Sequence, residues 1–244
     1  DVSDYGFTIE RGDFSWRTIK TGRDAYIDRL NGIYRENLTT SGVKYLQGRA
    51  SFRDACSVYT DSGPLSANHV LIATGSAPSI PNIPGSDFGI TSDGFFEVDH
   101  QPDRVLIIGA GYIATEFAGV LNALGSQVTM LLRNDRLLRD FDIILRNTLM
   151  EEMEQNGIHI LTRAIATTLV QDDSSRLTVH CADGRQIGDF DAVIWAIGRH
   201  PVTADLNLES AGINTDNFGH IITDGYQDTN IEGVHAVGDV TGRH

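Results

Sequence analysis

The run Val105-Leu-Ile-Ile-Gly109-Ala-Gly111-Tyr-Ile-Ala114 constrains this chain more than any other. Four consecutive apolar residues read as a strand buried on both faces. A GxGxxA turn comes directly after and opens into a helical pattern from Tyr112 to Leu124, and a second apolar strand, Val128 to Leu132, lies within about 30 residues. Each piece has a physical duty. Gly109 permits the tight turn, Gly111 lets a pyrophosphate approach the backbone, and Ala114 keeps helix and strand close while the helix N-terminus offers free N–H groups to an anion. The arrangement predicts a dinucleotide site.

The end of the second strand selects the nucleotide. An NAD site places an Asp or Glu there for the ribose hydroxyls, whereas this strand runs into Arg133, with Arg136 and Arg139 close behind. These are three of only 17 arginines in a chain of net charge -14. Planar guanidinium groups match phosphate geometry, so Arg133 and Arg139 are read as holding the 2'-phosphate of NADP. Asp135 lies close enough to compete as a ribose ligand.

Before this unit, residues 16–38 carry no proline and place Ile19, Tyr26, Leu30, Ile33, Tyr34, Asn37 and Leu38 at helical spacing, predicting one long amphipathic helix that Ser41-Gly42 ends. Tyr26, Ile33, Tyr34 and Asn37 share one face of it. By spacing alone that face is either a core-packing stripe or a binding face, and Tyr26 and Asn37 would each need a polar partner if buried. Strands are expected at 45–47, 50–53, 57–60 and 70–72, with a turn at Asp61-Ser62-Gly63-Pro64. Pro78, Pro81 and Pro84 then force extended backbone and mark a domain boundary. After the motif come a helix at 143–156, strands near 159–162, 166–171, 177–181 and 192–196, the middle ones joined by short polar turns as an antiparallel meander, and a last strand at 234–237. The expected fold is α/β: a Rossmann-like three-layer FAD/NAD(P)-binding fold with a complete NADP domain and a partial FAD domain. The domain ranges are 1–76, 77–200 and 201–244.

Composition excludes several classes. With 41% hydrophobic and 21% charged residues the chain is globular rather than disordered. No apolar run approaches a membrane span, the N-terminus lacks a signal-peptide layout, and 33 acidic against 19 basic residues argue against nucleic acid. Cys56 and Cys181, both in segments that read as strands, form neither a disulfide framework nor a metal pattern, and a cytosolic protein with no metal site is expected.

Beyond these local signals, the sequence resembles the pyridine nucleotide-disulfide oxidoreductases, and among them the glutathione reductases, over essentially its whole length. Asp4-Tyr-Gly-Phe7, Arg23-Asp-Ala-Tyr26, Gly89-Ile-Thr-Ser-Asp-Gly-Phe-Phe96, the GxGxxA motif, Trp195-Ala-Ile-Gly-Arg199 and Ala236-Val-Gly-Asp239 carry the resemblance. It implies that Tyr112 is the aromatic gate on the nicotinamide side of the flavin, with Ile113 beside it. Glu116 matches an acid that pairs with a lysine by the flavin, a lysine this chain lacks, since it has only Lys20 and Lys44. Ile197, Gly198 and Arg199 match residues near NADPH. Ala73, Thr74, Gly75, Gly238 and Asp239 match contacts to FAD, with Asp239 on the ribityl chain. The helix residues Tyr26, Ile33, Tyr34 and Asn37 match glutathione-facing positions. The implied substrate is glutathione disulfide and the implied parent a cytoplasmic homodimer.

The chain departs from the family pattern too. The first GxGxxG and the CxxxxC redox pair would precede residue 1, and the catalytic His-Glu couple and dimer-forming domain would come after residue 244. The chain is therefore expected to be a fragment, inactive by itself, holding the NADPH-binding portion of the enzyme. The alternatives are a non-catalytic dinucleotide-binding module, or a relative acting on another disulfide or on mercuric ion.

Overall fold

The computed structural model describes residues 2–8 and 12–243; residues 1, 9–11 and 244, which fall within the expected domain ranges, lie outside the described residues. Helix α1 (Trp16–Thr40) starts at Ser15, whose hydroxyl accepts the Thr18 N–H and so satisfies one of the open amides of the first turn. Then come β1 (Ala50–Asp54), β2 (Ser57–Thr60), β3 (Gly63–Ser66), β4 (Val70–Ile72) and β5 (Ser76–Pro78). The next section alternates through β6 (Ile90–Thr91), α2 (Ser92–Phe95), β7 (Arg104–Ile108), α3 (Tyr112–Ala123), β8 (Gln127–Leu131), α4 (Ile143–Gln155) and β9 (His159–Leu161). Strands β10 (Ala166–Gln171), β11 (Leu177–Cys181), β12 (Gln186–Phe190), β13 (Ala192–Trp195) and β14 (Arg199–Pro201), helix α5 (Leu208–Ala211) and β15 (Val234–Ala236) complete it.

The central sheet has the order β6-β13-β7-β8-β9 and is parallel throughout. Along β7 successive side chains take opposite faces. Val105 and Ile107 pack with Ala114, Ala118 and Leu121 of α3 and Met153 of α4. Leu106 and Ile108 pack instead with Leu169, Val179 and Phe190 of the antiparallel meander β10-β11-β12. Helices, parallel sheet and meander make three layers, and the continuous apolar run of β7 is explained because both its faces are covered.

A third hydrophobic cluster joins Phe52 and Ile72 to Leu208, Ile213, Ile221, Val234 and Val240. It draws on both flanks of the central section. The chain passes between the sheet-bearing section and this third cluster at β5 and β14, which pair antiparallel with Ser76 opposite Pro201. Helix α1 attaches to the sheet-bearing section through its first turns: Trp16 Nε1 donates to the Val98 carbonyl at 2.9 Å, its ring meets Phe95 edge-on at 5.9 Å, and Arg23 donates to the Phe96 carbonyl.

Some local expectations are corrected. Residues 45–47 are irregular, without a strand partner. The turn expected at 61–64 is only Asp61-Ser62; Gly63 and Pro64 belong to β3, opposite Thr60 and Tyr59. Proline is tolerated there because β3 is an edge strand. Cys56 sits in the tight turn Ala55-Cys56 rather than in a strand: β1 and β2 pair past a bulge at Phe52/Asp54 as far as Asp54 opposite Ser57, and Asp54 Oδ1 accepts the Cys56 N–H. Strands β5 and β12 were not expected, being short or rich in polar residues and glycine.

Candidate functional site

The glycine turn owes its shape to two different needs. Gly109 has φ 146°, and a β-carbon there would lie 2.1 Å from the Ala196 carbonyl oxygen at the end of β13. No other residue type fits beneath that strand end. Gly111, in contrast, is extended, and no atom stands within 4 Å of where its β-carbon would be. It leaves the backbone bare on an open side. Gly111 is also the N-cap of α3 and offers no capping side chain, so the first amides of that helix have no side-chain acceptor. Ala114 is fully buried beneath them, where its small side chain lets α3 lie close on the sheet.

A cavity of about 750 Å³ opens beside this turn. Gly109, Gly111, Tyr112 and Ile113 line it, together with Ile197, Gly198 and Arg199 and with Arg133 and Arg139. Tyr112 is 58% exposed at the first turn of α3. Glu116, one turn further along, is exposed and outside the lining. The cavity shares Arg133, Asn134, Arg136 and Arg139 with a smaller hollow of about 390 Å³, to which Asp135, Arg146 and Arg163 also contribute. Asp135 Oδ2 stands 4.0 Å from Arg136 Nε, so the one acid in this hollow faces a neighbouring cation.

The cavity also reaches Ser76, His220, Asp239 and Gly242. The Ser76 hydroxyl donates to Asp239 Oδ2 at 2.6 Å and accepts from Arg199 Nε at 2.8 Å, while Arg199 also donates to the Ser76 carbonyl at 2.6 Å. Ala73, Thr74 and Gly75 extend from the end of β4, and Gly238 and Asp239 from the end of β15, its parallel neighbour. The two segments thus leave the same end of adjacent strands, the edge at which open α/β sheets receive ligands. Only Asp239 of the five lines the cavity. Thr74 spends its hydroxyl on the Val202 carbonyl at 2.8 Å.

Tyr26, Ile33, Tyr34 and Asn37 stand apart from this cavity, on exposed turns of α1. Trp16 is the one buried residue of that helix, so within the described residues the face is not a core stripe. Tyr26 lies 5.0 Å from the Arg29 guanidinium, which covers its ring. The cysteines stay separate: Cys56 is exposed, and Cys181 is buried on the meander side of the sheet, where desolvation pushes its thiol above the usual range.

Sequence reasoning missed Ser76, His220, Arg146 and Arg163. Ser76 and His220 come to the cavity through pairings distant in sequence, and a lone arginine in a helix or after a short strand carries no local signal. His220 sits where Asp216 accepts its backbone N–H at 2.9 Å and contacts its Nδ1 at 3.1 Å.

Comparison with known proteins adds the family context. The model of the pyridine nucleotide-disulphide oxidoreductases matches residues 7–244. The chain is 45% identical over 240 residues to glutathione reductase of Schizosaccharomyces pombe, covering 95% of this chain and 52% of that protein. Among solved structures it is similar to the HOCl-induced flavoprotein disulfide reductase RclA from Escherichia coli, with a TM-score of 0.88 at 26% identity over 94% of this chain and 53% of the other. The Cu(II) complex of the same enzyme gives the same TM-score and coverage. The chain therefore spans about half the length of the relatives it matches.

Proposed function

Because this chain belongs to the pyridine nucleotide-disulphide oxidoreductases, we propose that it is the NADPH-handling portion of a flavin-dependent glutathione-disulfide reductase. The observation that carries the reading is the continuity of one cavity from the bare Gly111 turn to the arginine hollow. The residues fit the nucleotide chemically. Gly111 and the open amides of α3 receive the pyrophosphate, and Arg133 and Arg139 receive the 2'-phosphate. Ile113, Ile197, Gly198 and Arg199 wall the cavity between, and Tyr112 gates the nicotinamide end with a flat ring exposed enough to swing aside. When bound, the nicotinamide supplies a hydride that FAD relays to a disulfide.

Ala73, Thr74, Gly75, Gly238 and Asp239 meet FAD at the common end of β4 and β15, with the Asp239 carboxylate toward the ribityl hydroxyls. Glu116 stands ready for a lysine from beyond these residues. Tyr26, Ile33, Tyr34 and Asn37 present the exposed face of α1 to glutathione disulfide. Residues 77–200 act as the NADP domain between two parts of the FAD domain. These 244 residues contain no pair of cysteines in CxxxxC spacing, so by themselves they reduce no glutathione disulfide. The intact enzyme works as a cytoplasmic homodimer in this reading; no described helix is long and apolar enough to cross a membrane.

Calorimetric titration of the intact protein tests the assignment. Replacing Arg133 and Arg139 with Ala weakens NADPH binding by about 1.5–3 kcal/mol for each charge-assisted hydrogen bond removed and leaves NADH binding nearly unchanged. Equal weakening for both nucleotides overturns it.

A further inference from the structure

The hollow that receives Arg133 and Arg139 is lined by three more arginines, Arg136, Arg146 and Arg163. Five guanidinium groups around about 390 Å³ repel one another unless an anion enters. The nearby acids compensate them poorly: Asp135 stands 4.0 Å from Arg136, and Asp140 stands 3.4 Å from an Arg139 that is 74% exposed.

Arg146 and Arg163 are held in ways that a merely solvated arginine does not need. Arg146 lies in the first turn of α4, an end whose dipole disfavours a cation. Its Nε donates to the Leu137 carbonyl at 2.8 Å, which anchors the side chain to the loop after β8 and leaves its terminal nitrogens without a protein partner among the described residues. Arg163 adopts φ 53°, a left-handed conformation uncommon outside glycine and often found at binding sites. Its N–H donates to the Asn134 carbonyl at 3.0 Å, which stitches it to the same loop. Its guanidinium makes no ion pair or hydrogen bond among the described residues.

We propose that Arg146 and Arg163 are specificity-determining residues for the 2'-phosphate, forming the part of the hollow beyond Arg133 and Arg139 and strengthening its preference for a phosphate over a hydroxyl. The inference rests on the reading that Arg133 and Arg139 receive that phosphate. Arginines from the loop, from α4 and from the end of β9 line this one hollow, so a phosphate entering it meets guanidinium donors from three segments of the chain.

The test is calorimetric titration of the intact protein with adenosine 2',5'-bisphosphate and with 5'-AMP, which differ only in the 2'-phosphate. Arg146→Gln and Arg163→Asn are the neutral variants, Asn being chosen because it tolerates a left-handed backbone. Each is expected to weaken the bisphosphate by about tenfold or more, as for the loss of a charge-assisted hydrogen bond, with 5'-AMP within twofold of its original affinity. Arg146→Lys and Arg163→Lys recover part of the affinity. Unchanged bisphosphate affinity in both neutral variants, alongside a loss in Arg133→Ala, overturns the proposal and leaves the Arg133 assignment standing. No loss in Arg133→Ala either removes both. A variant that weakens both nucleotides alike places that arginine's role in loop structure and overturns its assignment to the phosphate.

Discussion

Arg199 Nε lies 4.0 Å from Asp239 Oδ2, and the Ser76 hydroxyl bridges the two, accepting from the first and donating to the second. A residue assigned to one nucleotide and a residue assigned to the other thus share a single oxygen. Ser76→Ala removes that oxygen but keeps the bond from Arg199 to the Ser76 carbonyl. Because the network is largely exposed, the expected stability change is within about 1 kcal/mol. Flavin retention in the intact protein, measured by the fluorescence of released FAD, should fall several-fold, since the carboxylate loses the donor that orients it. Retention equal to the parent's would show that Asp239 needs no such support.

The two glycines of the turn should fail differently. Gly109→Ala drives a methyl group into the Ala196 carbonyl at a backbone angle that L-residues avoid, and a destabilisation of about 1–3 kcal/mol or more is expected from overpacking alone. Gly111→Ala meets open space in extended backbone, so thermal unfolding should barely move while NADPH affinity falls, because the methyl group occupies the approach of the pyrophosphate. A melting temperature lowered equally in both would contradict this division of labour.

Acid should unfold the protein from a predictable side. Lys20 and then Arg23 hold the Asp24 carboxyl below its usual range, and the backbone N–H groups of Asp228 and Tyr226 do the same for Asp224. Groups depressed in the folded state contribute stability that is present above their unfolded value of about 3.9 and is lost as pH falls through their folded values. Lys20, raised chiefly by its hydrogen bond to Asp24, has the opposite sign and matters only at alkaline pH. Urea unfolding should therefore show stability level from pH 7 to about 5 and declining below about 4. A flat profile to pH 3 would mean that these carboxylates do not contribute.

Much of the central architecture was legible because its signals are local. The run from Val105 to Ile108 announces a strand covered on both faces, and the glycine turn announces a helix with a bare, anion-ready N-terminus. The helix from Trp16 was equally visible from periodicity, and Ser15 supplies its start. The missed strands show where local signals end. Gly63 and Pro64 are turn residues by composition, and only the edge position of β3 makes a strand of them. The candidate site divides in the same way. Gly109 was singled out for the turn, yet its stricter constraint is Ala196, 87 positions away, which no window contains. Ser76 and His220 reach the cavity only because β5 meets β14 and the segment after β15 folds back on His220, with a β-carbon at Gly242 coming within 2.8 Å of the ring.

The third cluster unites Phe52 and Ile72 with Leu208 and Val240 across the whole intervening parallel-sheet section. That makes this outer core discontinuous in sequence, with the inner, parallel-sheet section entered and left through the paired strands β5 and β14. Within the inner section β7, β8 and β9 pair locally while β13 returns to β6 and β7 from far along the chain, and the outer core likewise must close a loop of more than a hundred residues. Once the inner section is folded, its own termini already lie side by side at Ser76 and Pro201, so the long closure is reduced to a short one. The paired strands β5 and β14 thereby hold together the two halves of the outer core.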